Sequence, residues 1–266
     1  MERRFTKIIA WLMATALLVG LFPGYAFAGQ NQIGKASKEI AADQEASSVS
    51  TTGFKKVGGK TYYYSEGKKL TGWQTIDGSR YYFSKSGIMR TGLVKIGKDR
   101  YFFDKNTGHM AGMGFYKNWI ISYNGKCYKT PPKSSNKSAC ANKMAKLIAK
   151  SVGPKKYWSK AGKHKQLYQV RRATYYVWVL AWKCKYTTKG SDYYTPYGVF
   201  YAKKFSCAGT AAALKLVLEK MGYQCTHVNK NKWTHQWVSL KMDGKSGWAD
   251  AYPTGGGANY GSRFKK

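Results

Sequence analysis

The sequence predicts an α+β protein in two parts, a β-hairpin solenoid followed by a domain of mixed helices and strands. Three observations predict it. Glycine-bounded aromatic runs, too short for helices, recur about every 20 residues between Gly53 and Lys129. From Ser138 onward, apolar residues recur at helical spacing in three long runs. Near the end, two short aromatic and β-branched runs flank Asp243-Gly244, the strongest short-range hairpin signal.

The first 28 residues read as a secretory signal peptide. Arg3, Arg4 and Lys7 precede an apolar run from Ile8 to Phe22, Pro23-Gly24 breaks it, and Ala26-Phe27-Ala28 gives an A-x-A end. The run is short for a membrane span and no second candidate follows, so no span is expected after cleavage. Residues 29–52, rich in Ser, Thr, Ala, Gln and Lys without apolar period, read as a flexible linker.

Charge narrows the partners. Lys and Arg number 46 against 12 acids, a formal net charge of +34. Losing residues 1–28 leaves the mature chain at about +32. Such an excess implies an anionic partner. No nucleic-acid motif accompanies the charge, so with export the expected partner is an anionic cell-wall polymer or glycan.

Residues 53–129 carry the repeats. Thr71-Gly72-Trp73, Thr91-Gly92-Leu93 and Ala111-Gly112-Met113 stand beside Tyr62-Tyr63-Tyr64, Tyr81-Tyr82-Phe83 and Tyr101-Phe102-Phe103, with a fainter Ile120-Ile121-Ser122-Tyr123 echo. One hairpin is marginal alone, whereas stacked copies bury each other's aromatics. The unit resembles the cell-wall-binding repeats related to choline-binding modules of Gram-positive surface proteins. That resemblance implies a cation–π cage between adjacent repeats. Because Trp73 is followed at the next two steps by Leu93 and Met113, cages of successive tryptophans are incomplete. Trp73, Tyr82 and Phe102 are the expected glycan or wall contacts, and most other aromatics are expected to be solenoid core.

Thr130 to Lys137, with Pro131-Pro132, reads as a second linker, and residues 138–266 as the second domain. Helices are expected over Ser138–Val152 and Lys163–Cys184. In the second, Leu167, Val170, Thr174, Val177, Trp178 and Ala181 form one core-facing stripe. Val199-Phe200-Tyr201 is the expected short strand. Ser206 then caps a helix opened by Cys207, along which Ala211, Leu214, Val217, Leu218 and Met221 recur until Gly222 stops it.

A cysteine at a helix N-terminus is in a setting that favours a thiolate. If Asp243-Gly244 is the loop, Met242 faces Lys245, Trp237 faces Asp250, and His235 faces Tyr252. His235 and Asp250 then become diagonal neighbours on one sheet face. A nucleophile, a base and a residue orienting the base are thereby within one constellation.

The run Tyr197-Gly198-Val199-Phe200…Cys207-Ala208-Gly209-Thr210-Ala211…Leu214, with His235-Gln236-Trp237 and Trp248…Asp250, resembles the transglutaminase-like superfamily core over roughly Cys140 to Tyr252. The resemblance implies a papain-like α+β domain with Cys207 as nucleophile, His235 as base and Asp250 as orienter. It also makes Tyr197 a candidate for pocket or oxyanion support beside the Cys207 backbone N–H. Ala208 and Thr210 depart from the residues common in relatives, and both are expected to reshape the acceptor pocket.

Other chemistries are less well supplied. Cys225-x-His227 with His235 and Cys207 lacks any zinc-motif spacing, so no metal is expected. Calcium is not expected either, and no cofactor is implied. Asp192 and Asp243 read as turn residues rather than as a glycosidase pair. His227 reads as a polar strand residue, His109 as a repeat-turn residue and His164 as a helix-start residue. Five cysteines cannot all pair within a monomer, and with Cys207 free up to two bridges remain among Cys127, Cys140, Cys184 and Cys225.

The expectation is therefore a secreted, wall-associated thiol enzyme acting on peptide or glutamine carboxamide bonds through a thioester, as peptidase or transamidase, with a protein or peptide substrate. The alternative is a non-catalytic wall- or glycan-binding adhesin.

Overall fold

The computed structural model describes residues 52–153, 164–229 and 234–263. The expected signal peptide and all but the last residue of the 29–52 linker lie outside them. Among the described residues no helix is long and apolar enough to cross a membrane.

The repeats are antiparallel ribbons. Strands β1 (Gly53–Val57), β2 (Lys60–Ser65) and β3 (Lys68–Lys69) form the first sheet. β4 (Gly72–Ile76) pairs with β5 (Ser79–Phe83), and β6 (Gly92–Ile96) with β7 (Asp99–Phe103). Alternation then assigns the faces. Ile76, Tyr81 and Phe83 are buried on one side of the β4–β5 ribbon, leaving Trp73, Thr75, Arg80 and Tyr82 on the other. Successive ribbons are clipped by backbone bonds from Met89 N–H to the Thr61 carbonyl and from Met110 N–H to the Arg80 carbonyl, 2.8 and 2.7 Å.

A three-stranded sheet, β8 (Gly114–Tyr116), β9 (Trp119–Ile121) and β10 (Cys127–Lys129), ends the repeats and enters the core of the helical domain. Ile120 is fully buried in the same apolar cluster as the helices. The Tyr176 hydroxyl donates to the Ile121 carbonyl at 2.5 Å. The linker at 130–137 is thus a crossing of the chain rather than a gap in packing, with the Tyr201 hydroxyl bound to the Pro131 carbonyl at 3.1 Å.

Helix α1 (Lys137–Val152) begins where Asn136 accepts from the Ala139 N–H. It buries Cys140, Ala141, Met144, Ala145, Ile148 and Val152, a stripe at helical spacing. Helix α2 (Lys165–Trp182) buries Leu167, Val170, Thr174, Val177 and Ala181 as expected, with Trp178 half-buried. The expected strand at Val199-Phe200-Tyr201 is instead a π-helical turn over Gly198–Ala202 that ends with Lys203 at φ +58°. Its aromatic and β-branched residues signal burial, and Val199 and Phe200 are indeed buried, but among the described residues no strand pairs with them. Two-residue strands β11 (Lys185–Tyr186) and β12 (Lys204–Phe205) flank the turn and pair in parallel.

Helix α3 (Cys207–Lys220) comes next, then a four-stranded antiparallel sheet in order β13 (Cys225–Val228), β14 (Trp237–Met242), β15 (Lys245–Asp250), β16 (Gly257–Tyr260). The β14–β15 register is the one expected, from Met242 opposite Lys245 to Val238 opposite Ala249. Asp243 and Gly244 both have positive φ, +50° and +78°, the signature of a type I′ turn. α2 and α3 pack against this sheet.

Candidate functional site

Cys207 is the first residue of α3, and the helix start is fixed from three directions. The Ser206 N–H donates to the Tyr193 carbonyl at 3.0 Å, and the Ser206 hydroxyl accepts from the Gly209 N–H at 3.4 Å. A Cβ on Gly209 would stand 2.2 Å from the Tyr193 oxygen, so only glycine lets the loop lie this close to the first turn. Thr210 does not face a pocket. It is fully buried, and its hydroxyl donates to the Cys207 carbonyl at 3.0 Å or the Ser206 carbonyl at 3.3 Å. The expectation that Thr210 shapes an acceptor site is corrected accordingly. A hydroxyl three residues along a helix reaches its own backbone first.

His235 and Asp250 meet directly: Nε2 of the imidazole lies 2.6 Å from Oδ2 of the carboxylate. His235 keeps 28% of its side-chain surface exposed, whereas Asp250 keeps 1%. Asp250 sits opposite Gly257 on β16 as the last residue of β15, and Oδ1 accepts the Tyr252 N–H at 2.9 Å. Arg263 adds a cation, with Nε 3.2 Å from the same Oδ2, while its guanidinium stands 4.5 Å from the Trp248 ring centroid. The imidazole lies edge-to-face with Tyr252 at 5.2 Å, and the Asn229 amide donates to the His235 carbonyl at 3.1 Å.

Tyr252 connects this pair to the cysteine. Burial pushes its hydroxyl above the ordinary tyrosine range, and the charges of Tyr186, Cys207 and Asp250 add to the shift. Phe205, two residues before Cys207, packs on the same ring at 5.9 Å. Tyr197 lies elsewhere. It is buried in the core, stacked on Tyr201 at 5.5 Å and beneath the Lys137 ammonium.

The other cysteines are of a different kind. All five are free thiols. Burial raises Cys127 and Cys225 to about 11 and also pushes Cys184 up. Cys140 is buried and receives the Ser134 N–H at 3.1 Å. His227 Nε2 donates to the Gln236 side-chain Oε1 at 2.7 Å, and His164 approaches the Tyr260 hydroxyl at 3.0 Å. Among the described residues, no three His, Cys, Asp or Glu side chains converge as metal ligands do.

On the repeats, Trp73 and Tyr82 are cross-strand partners with ring centroids 5.4 Å apart. Tyr101 of the next ribbon closes on Trp73 at 4.8 Å and Phe103 at 5.6 Å. Phe102 belongs to a different group, tilted against Tyr116 with centroids 4.1 Å apart. The first ribbon repeats the pattern, with Phe54 against Tyr63 and Tyr81 at 4.8 and 5.2 Å. The sequence reading missed Tyr101 because the partner that gives it meaning is in the preceding repeat. Arg263 left no local signal, lying 13 residues beyond the carboxylate it binds.

Comparison with known proteins bears on the repeats. Residues 70–115 match the choline-binding repeat family, and residues 52–66 match a cell wall binding repeat. None of the curated proteins matches the chain. Among solved structures, choline binding protein F from Streptococcus pneumoniae, in the presence of a peptidoglycan analogue, is 31% identical over 31% of this chain and 29% of that one, with a TM-score of 0.29. A second crystal form of it is 29% identical over 30% of this chain and 34% of that one, TM-score 0.25. The choline binding domain of another Streptococcus pneumoniae protein is 28% identical over 30% of this chain and 99% of that one, TM-score 0.28. The chain thus spans about a third of the length of choline binding protein F. The protein carries choline-binding-type repeats on an α+β fold of small antiparallel sheets and helices.

Proposed function

We propose that this chain is a surface protein held at the cell wall by its repeats, with a thiol enzyme of transglutaminase-like type in residues 138–266. The two halves of the reading have different support. Wall binding is supported by the repeat matches over residues 52–66 and 70–115 and by the net charge of +34. Those matches say nothing of catalysis, and taken alone they favour the non-catalytic wall-binding protein.

The observation that supports an enzyme is the 2.6 Å contact between partly exposed His235 and buried Asp250, taken with a cysteine at a capped helix start whose neighbour Phe205 shares the Tyr252 ring with His235. In the proposed reaction His235 Nδ1 takes the Cys207 proton, and Sγ attacks an amide carbonyl. The Nε2 proton stays on its bond to Asp250, which stabilises the imidazolium. The Cys207 N–H at the helix start donates to the oxyanion. The imidazolium returns its proton to the departing amine, leaving a thioester. Water or a primary amine then attacks it, giving hydrolysis or transamidation.

The test is incubation with a glutamine-containing protein and a labelled primary amine, comparing the wild type with Cys207→Ala. Amine incorporation, cleavage or ammonia release that disappears in the variant supports the enzyme and says which kind it is. Binding to purified walls without turnover of any of these kinds identifies the adhesin.

A further inference from the structure

Both tryptophans of the described repeats, Trp73 and Trp119, already face one of the chain's own guanidinium groups. Arg80 lies on the same ribbon face as Trp73, and its guanidinium carbon stands 4.3 Å from the indole centroid. One repeat on, Arg100 takes the corresponding position and stands 5.5 Å from the Trp119 ring. The rings themselves are closed up. Trp73 lies 4.8 Å from Tyr101 and 5.4 Å from Tyr82, distances of direct ring contact that leave no gap for a bulky ammonium group. A second cation brought to the same indole would also meet the charge of Arg80.

What remains presented outward is the guanidinium itself. Arg80 and Arg100 are exposed, and among the described residues neither forms an ion pair. The nearest acid by sequence to Arg100, Asp99, is bound to Lys126 at 2.6 Å. A guanidinium held against an aromatic ring has lost much of its side-chain freedom and still offers a fork of N–H donors that fits an oxyanion in bidentate fashion. Two such forks, one repeat apart on a chain of net charge +34, suit a polymer of repeated oxyanions.

We propose that the repeats bind a phosphodiester-linked polyanion through Arg80 and Arg100, in place of a quaternary ammonium ligand. This rests on the reading of the repeats as wall-binding.

The test uses the full chain in titrations with poly(glycerol phosphate), polygalacturonate and choline, and in sedimentation with purified walls before and after chemical removal of phosphodiester polymers. The expected result is binding to poly(glycerol phosphate) well above polygalacturonate, no binding of choline, and loss of wall binding after removal. Arg80→Ala with Arg100→Ala is expected to weaken the poly(glycerol phosphate) interaction by about tenfold or more. Tryptophan fluorescence reports whether the ring cluster survives. Should the double alanine variant misfold, Arg80→Lys, which keeps the charge and loses the fork, is expected to weaken binding severalfold. Equal binding of polygalacturonate, choline binding by the wild type, or unaltered polymer affinity in the variants would overturn the inference. Walls that retain the protein after phosphodiester removal overturn it while leaving wall binding intact. Failure to bind any wall overturns the underlying reading instead.

Discussion

At the scale of single residues, the arrangement around Asp250 is an asymmetric one. A carboxylate with 1% of its surface exposed accepts from an imidazole, a guanidinium and a backbone N–H, so the desolvated charge is answered by three donors. Asp250→Asn would keep the shape but present the wrong hydrogen-bonding partner to Nε2. On the proposed mechanism its turnover falls by about two to four orders of magnitude, with substrate affinity little changed, as steady-state kinetics would read.

Asp243 shows the same logic applied to stability. Its carboxylate accepts from the Gln166 and Leu167 N–H groups at 3.0 and 3.1 Å and from the Tyr260 hydroxyl at 2.8 Å. The Gln166 side chain returns a bond to the Asp243 N–H at 2.7 Å, so a hairpin turn caps a helix. Burial alone would raise this carboxyl, but the bonds from Gln166, Tyr260 and Leu167 outweigh it and hold it below the ordinary aspartate range. A depressed folded-state value stabilises the protein above the unfolded value, near pH 4, and that contribution is lost as pH falls through the folded one. Asp243→Ala is expected to cost about 1–2 kcal/mol at neutral pH, and Asp243→Asn to flatten the acid limb of a denaturation series. The capping of that helix by Asp243 left no sign in the sequence, whereas the pairing of Asp250 with His235 followed from the hairpin register. The turn itself was visible, because Asp-Gly between β-branched runs needs no distant information.

At the scale of elements, the repeats are held by interlocks that glycine makes possible. The Met89 side chain fills the space beside Gly108, where an added Cβ would stand 2.5 Å from the sulfur and the backbone has φ +75°. Gly108→Ala should therefore both clash and strain, lowering the stability of the repeats by about 1–3 kcal/mol in chemical denaturation. The spacing of the repeat was legible in the sequence, and so were the three α-helices of the described residues and the β14–β15 register. β16 escaped notice, and β13 was read only as the strand setting of His227. Cys225–Val228 and Gly257–Tyr260 are four residues each, and the second is built around glycine, asparagine and alanine, which carry no strand signal. The π-helical turn at Gly198–Ala202 was misread for the opposite reason, since its residues favour strands and tertiary packing overrode them.

At the scale of the whole molecule, the last repeat sheet is part of the core. Ile120 on β9 is fully buried among residues of the helices. Ile120→Ala should cost about 2–5 kcal/mol and move the unfolding of the helical domain, not only that of the repeats. Residue-level reading drew a boundary at 130–137 from two prolines. It had no access to which side chains cross that boundary, because burial of Ile120 depends on Tyr176 and its neighbours. The positive charge acts on the same scale: wall binding driven by it should weaken steadily with added salt, as exposed charges are screened.

The most direct test of the proposed thiol chemistry needs no substrate. Iodoacetamide labelling at neutral pH, followed site by site with mass spectrometry, compares Cys207 with Cys127, Cys140, Cys184 and Cys225 in the wild type and in His235→Ala. The account predicts that Cys207 alkylates first and that the variant slows it severalfold while leaving the other four unchanged. Labelling of Cys207 at the pace of the other four cysteines, or at a rate indifferent to His235, would contradict it.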